Sequence, residues 1–178
     1  MKESSARKNR SAPASTPAPS DTPLSHRILD DTALPDVRRR LRTLSADTPA
    51  RWGGLDCGGM VRHLRATVEL SLGEMQAPRV VPTWIGRPVG WLSLYVFTRW
   101  PRGRKSSKPA VPVLFPGRST TFDEDRERLL AALERFVEHA AAKPLAHANH
   151  PLMGTTTRRR WARVHALHVA HHLRQFGA

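Results

Sequence analysis

A chain of 178 residues has room for one domain with a sizeable core and is too short for two comfortable ones. Its hydrophobic share of 39% is ordinary for a soluble globular protein, and its formal charge of +14 points towards an anionic partner or substrate. Cys57 is the only cysteine, which excludes an intrachain disulfide and any cysteine-based metal knuckle and suits a reducing cytoplasm.

The placement of the charge argues against a nucleic-acid groove. Before residue 25, Lys2, Arg7, Lys8 and Arg10 stand against Glu3 and Asp21, so the tail adds little. The rest is spread over groups such as Arg38-Arg39-Arg40, Arg102 with Arg104 and Lys105, and Arg158-Arg159-Arg160. None is interleaved with aromatics as a base-stacking platform requires. The first residues run into charge and proline, so no secretory signal is expected.

Residues 1–25, rich in Ser, Pro, Ala and Thr without apolar periodicity, read as a disordered leader, and residues 26–178 as the folded domain. That domain reads as all-α, with no convincing alternating strand. A first helix is predicted from about Leu34 to Ser45, with Val37, Leu41 and Leu44 at helical spacing. A second spans about Cys57 to Glu74, between Gly53-Gly54 and Pro78. The stretch from Trp84 to Trp100 is apolar, but Arg87, Pro88 and two glycines interrupt it. No transmembrane span is expected; a short helix packed over one end of a bundle is. Residues 101–109 form a basic loop by composition. A third helix follows the acidic turn Asp123-Glu124-Asp125 and runs to about Ala142. A fourth begins around Thr155-Thr156-Thr157 and ends at Gly177. Four long helices joined by turns make a helical bundle.

The fourth helix carries the chemistry. At about 100° per residue, Trp161, His165, His168, His172 and Phe176 fall in one sector, so the imidazoles share the inward face with large aromatics. Buried imidazoles need hydrogen-bond partners or a metal. His168 and His172, four apart, stack one turn from each other, the spacing at which two side chains share an ion. His63 on the second helix lies with Met60, Thr67 and Leu70, where it can face the fourth helix and supply a third ligand. Three imidazoles would leave coordination positions open for water or substrate. His165 reads as structural, with an alternative ligand or a group behind the ligands as its other readings; His171 falls off the sector, and Cys57 reads as a small buried hydrophobe without a visible activator. No clear general base stands beside the ligands; Glu69 falls on the polar side of its helix and Glu74 is one candidate.

These residues resemble the DinB/YfiT-like superfamily of metal-binding four-helix bundles, and within it an uncharacterised bacterial branch, a domain of unknown function, closing in H-x-x-H-H-L-R-Q-F-G. The similarity rests on Asp47-Thr48-Pro49-Ala50-Arg51-Trp52-Gly53 and Met60 with His63. It continues through Leu72-Gly73-Glu74 and His150-Pro151 with Gly154, and ends in Trp161 to Gly177, covering about residues 30–178. Ala170 departs from the branch, where a polar residue is frequent, and the basic loop after Trp100 is particular to this chain. The resemblance implies a DinB-like four-helix bundle with a short extra helix between helices two and three. It also implies a divalent metal, with zinc, nickel or iron all suited, held by His63, His168 and His172. Relatives in that superfamily include thiol-dependent transferases and isomerases and suspected hydrolases. The expectation is therefore a cytoplasmic metal-dependent transferase or hydrolase acting on a small molecule, a low-molecular-weight thiol among the candidates. Bundles of this type often form homodimers, and nothing in the sequence fixes the face. The rival expectation is a non-catalytic basic helical protein holding an acidic partner, a membrane surface or nucleic acid.

Overall fold

The computed structural model describes residues 22–79, 81–96, 100, 111–117 and 120–178. The expected leader up to residue 21 and the basic loop 101–109 lie outside these residues. In chain order the elements are a 3-10 turn (Leu24–His26), α1 (Leu34–Arg42), α2 (Cys57–Leu72), α3 (Thr83–Tyr95) and α4 (Val111–Leu114). After these come α5 (Phe122–Ala142), β1 (His147–His150), β2 (Gly154–Thr157) and α6 (Arg158–Phe176).

Helix boundaries follow local chemistry. Asp56 caps α2 by accepting from the Gly59 N–H, and Gly73 closes it in a left-handed conformation, φ 84°, which costs glycine nothing. This stop falls just before the expected end at Glu74. Thr121 and Glu124 form a capping box at the start of α5, leaving the acidic first turn at the positive end of the helix dipole. α1 stops at Arg42 rather than Ser45.

The expectation of an all-α chain is corrected at one place. Residues 147–150 and 154–157 pair as an antiparallel two-stranded sheet, His147 opposite Thr157 and His150 opposite Gly154. Gly154 at φ 69° turns the chain, and the β-branched threonines suit extended backbone. Only Thr157 caps α6, its hydroxyl accepting from the Arg160 N–H. The first turn of α6 is basic, against the dipole. The connection before the hairpin offsets this by taking the helix's free donors: Arg158 N–H to Ala146 O (2.9 Å) and Arg159 N–H to Pro144 O (3.1 Å).

α6 is the central rod. α1, α2 and α5 all pack on it, and α5 also packs against both α1 and α2. Val37, Leu41, Met60, Leu64, Leu129, Leu133, Phe136, Trp161, Leu167 and Leu173 fill the common core. The segment before α1 lies along α6 as well, with Leu24 and Leu29 buried and the Arg163 guanidinium donating to the carbonyls of Ser25 (2.7 Å) and Arg27 (2.8 Å). α3 lies over β2 and α6. It comes close because a Cβ at Gly86 would meet the Leu152 carbonyl and one at Gly90 the Met153 side chain. No helix among the described residues is long and apolar enough to cross a membrane.

One buried charge ties α2 to α5. Asp125, 1% exposed, accepts from Arg62 Nη1 at 3.2 Å and from Thr120 Oγ1 at 2.7 Å, with Arg65 Nη1 3.5 Å away. Arg62 precedes His63, so this carboxylate also helps set the helix that carries the first imidazole. Asp125→Ala takes the buried carboxylate from two guanidinium groups, leaving Arg62 the Pro116 carbonyl and Arg65 the Glu69 carboxylate. It should lower unfolding stability by about 3 kcal/mol, read from the urea midpoint, whereas loss of the exposed Arg135–Glu74 pair should cost about 0.5 kcal/mol.

Candidate metal centre

Three imidazoles meet where α2 crosses α6. His63 Nε2 lies 2.9 Å from His168 Nε2, and His172 Nε2 lies 3.1 Å from the same atom; each residue offers a nitrogen within 4.8 Å of the other two. These are the residues expected from the sequence. The helical register brings His168 and His172 together on α6, and the α2–α6 contact brings His63 to them.

The outer nitrogens fix the protons. His63 Nδ1 lies 2.7 Å from the Leu114 carbonyl, which can only accept, so Nδ1 carries the hydrogen and Nε2 a lone pair. His172 Nδ1 lies 2.8 Å from Gln175 Oε1, with the same result. His168 Nδ1 has no hydrogen-bond partner. The cluster therefore points two lone pairs inward, with at most one hydrogen, on His168 Nε2, to share between them. Without a cation, neutral rings leave this polar centre underbonded, which is costly in a core. A divalent ion would satisfy all three nitrogens. Tetrahedral zinc, with bonds of about 2.0–2.1 Å, spaces ligand nitrogens roughly 3.3 Å apart, a small ring movement from the distances here.

Burial keeps the rings neutral, the form that binds metal. It drives His168 well below the ordinary imidazole value, reinforced by His63 and His172. Burial, with His63 second, holds His172 at about 3, and burial also lowers His63. Yet the three remain 6–7% exposed, against 1% for His165, so the cluster is not sealed. Its walls are aromatic: Phe115 stacks on His63 at 4.3 Å between centroids, and Trp100 lies 5.3 Å from His168.

Several supporting residues escaped the sequence reading. Gln175, three residues after His172 on the same helix, orients that ring and donates through Nε2 to the Trp52 carbonyl at 2.6 Å. Gly53, φ 82°, leaves room for the Gln175 side chain. The Arg51-Trp52-Gly53 and Gln175-Phe176-Gly177 motifs thus form one joint. The i, i+3 spacing was the available signal for Gln175; the roles of Leu114, Phe115 and Trp100 rest on tertiary contacts with no local pattern.

Of the remaining residues only His171 borders the cluster, its ring 5.2 Å from that of His172. His165 bonds Ser71 Oγ at 2.8 Å, stacks on Trp161 and meets Phe136 edge-on, a satisfied core histidine. His171 is half-buried, 6.2 Å from Trp52 and 6.3 Å from Trp100. Cys57 is buried, its thiol pushed up to about 11 by burial and by Asp56, so it is no thiolate nucleophile. Glu69 pairs with Arg65 at 3.4 Å and Glu74 with Arg135 at 3.1 Å.

His165 gives the fold a defined acid sensitivity. Burial pushes it to about 3 from 6.5, and His150 is pushed to about 4. Both bind protons more readily in the unfolded chain, so their stabilising effect is complete above pH 6.5 and falls as pH drops towards 3. The urea midpoint should fall steadily from pH 7 to pH 4. In His165→Asn that pH slope should be shallower by about one proton.

No curated protein and no solved structure matches the chain. Residues 24–178 match a family model described as protein of unknown function (DUF1569), and the chain belongs to that family.

Proposed function

We propose that residues 26–178 form a DinB/YfiT-like divalent-metal-binding domain that acts as a metal-dependent transferase or hydrolase on a small molecule, with His63, His168 and His172 as the ligands. The observation that carries this reading is the convergence of three Nε2 atoms, with the lone pairs of His63 and His172 both directed at His168. The mutual packing of α1, α2, α5 and α6, with ligands on the second and last of these rods, supports the superfamily assignment.

A dication held there would acidify a coordinated water or thiol and polarise a substrate carbonyl. The chain's own groups supply the rest. Leu114 O and Gln175 Oε1 hold two rings in the ligating tautomer, as outer partners of metal-bound histidines do. Phe115 and Trp100 offer an apolar wall for a small substrate and limit access of bulk water. With Glu69 and Glu74 both in ion pairs, no carboxylate joins the cluster among the described residues. This suits a reaction whose nucleophile is activated by the ion alone, as a low-molecular-weight thiol in a reducing cytoplasm would be.

Elemental analysis of protein purified without a histidine tag should find one divalent metal per chain. His63→Ala, His168→Ala and His172→Ala should each bring it close to zero, while exposed His147→Ala leaves it unchanged. A metal-free wild type that stays empty on titration with zinc, nickel and iron sinks the reading. Thiol-transfer and esterase assays on the metallated protein then choose between reactions.

Gln175 separates a ligand-orienting role from mere packing. Gln175→Leu should weaken metal affinity by about 10–100-fold in competition with a chromogenic chelator, and Gln175→Glu, which keeps an acceptor for His172, should retain most of it.

A further inference from the structure

α3 wears its large apolar side chains on the outside. Its inward positions are Gly86, Gly90 and Leu94, four residues apart and buried. Outward stand Trp84 (78% exposed), Trp91 (56%) and Tyr95 (52%), with Ile85, Val89 and Leu92 beside them. An amphipathic helix on a globular protein normally turns its bulk inward. Here the glycines seat the helix by backbone contact with Leu152 and by close approach to Met153, and the aromatic face is left free. Contiguous exposed apolar surface of this kind marks an interaction site.

Charge identifies what covers it. No acidic residue lies in α3 or lines the cavity beside it. Arg87 rises from α3 itself, and with Arg160 of α6 it flanks a cavity of about 480 Å³ beside Trp91 and Tyr95. Neither guanidinium makes an ion pair among the described residues. Two such faces would repel each other, which disfavours a second copy as the occupant. Tryptophan and tyrosine next to arginine, on a helix too short and too interrupted to span, are the composition of an element lying in the headgroup region of a bilayer.

We propose that α3 docks this protein on an anionic phospholipid bilayer, with Trp84, Trp91 and Tyr95 entering the headgroup–acyl boundary and Arg87 and Arg160 meeting lipid phosphates. The interaction does not require the metal centre, whose candidate ligands His63, His168 and His172 include none of these residues. Each basic side chain near such a surface and each buried ring adds to the partitioning, and high salt removes the first contribution only.

The test is flotation of the full chain with vesicles of phosphatidylcholine alone or with about one third phosphatidylglycerol. Wild type should float with the anionic vesicles, its tryptophan emission shifting to the blue, and stay behind with the neutral ones. Trp84→Ser with Trp91→Ser should weaken binding on the order of tenfold or more. It should also abolish the blue shift, with circular dichroism and urea midpoint unchanged because both side chains are exposed. Arg87→Glu should reduce binding to anionic vesicles without changing the fold. Equal binding to both vesicle types, or wild-type binding by the double variant, overturns the proposal. So does a dimer in light scattering that dissociates in the double variant, because the face would then belong to a second copy.

Discussion

Two lone pairs, on His63 and His172, aimed at one nitrogen of His168 are the constraint on which this protein's arrangement turns. Neutral imidazoles attract when one donates and the other accepts, and here His63 and His172 commit their donors outward, to Leu114 O and Gln175 Oε1, leaving at most one hydrogen, on His168, for two acceptors. What the fold spends on orienting these rings makes sense if the centre is built for a cation rather than for a hydrogen-bonded histidine cluster. His165 shows the contrast on the same helix. It sits deeper, finds Ser71 as its partner, and takes part in packing only. Its neighbours one and two turns along face one another instead.

The long helices were legible, and the short α4 and the 3-10 turn were not, because the signals of the long ones are local. Asp56, Gly73, Thr121, Glu124, Thr157 and Gly177 each act within a turn of where they stand, and the periodic apolar positions chose the buried faces. The histidine triad was legible because an i, i+4 pair on an aromatic stripe is also a local pattern, leaving only His63 to be found across the core. The hairpin was hidden by its shortness. Four-residue strands around Pro151 and Gly154 carry too little alternation to be read, and three threonines serve as well for a cap as for a strand. The supports of the site were hidden for another reason: a carbonyl has no sequence signature, and Leu114 and Trp52 contribute theirs through tertiary placement alone.

The basic character of the chain divides along the structure. Arg62 and Arg65 are drawn inward by Asp125, and Arg163 is spent on the carbonyls of Ser25 and Arg27 and on that of Leu94 (3.2 Å). Those charges hold elements together and do little for recognition. Arg87 and Arg160, beside the aromatic face of α3, are of the other kind. A formal charge of +14 therefore overstates what a partner meets in some places and describes it fairly in others.

The joint between Gln175 and Trp52 joins positions 123 residues apart, and the His63–His168 contact joins positions 105 apart. Bringing such distant segments together is entropically among the dearest closures a chain of this length makes. Local helix formation, which each rod can begin by itself, yields a pair of rings on α6 and a lone one on α2. The full three-nitrogen centre is thus a property of completed topology: an early folding species with α2 and α6 both formed but not yet crossed would offer an ion only the His168–His172 pair.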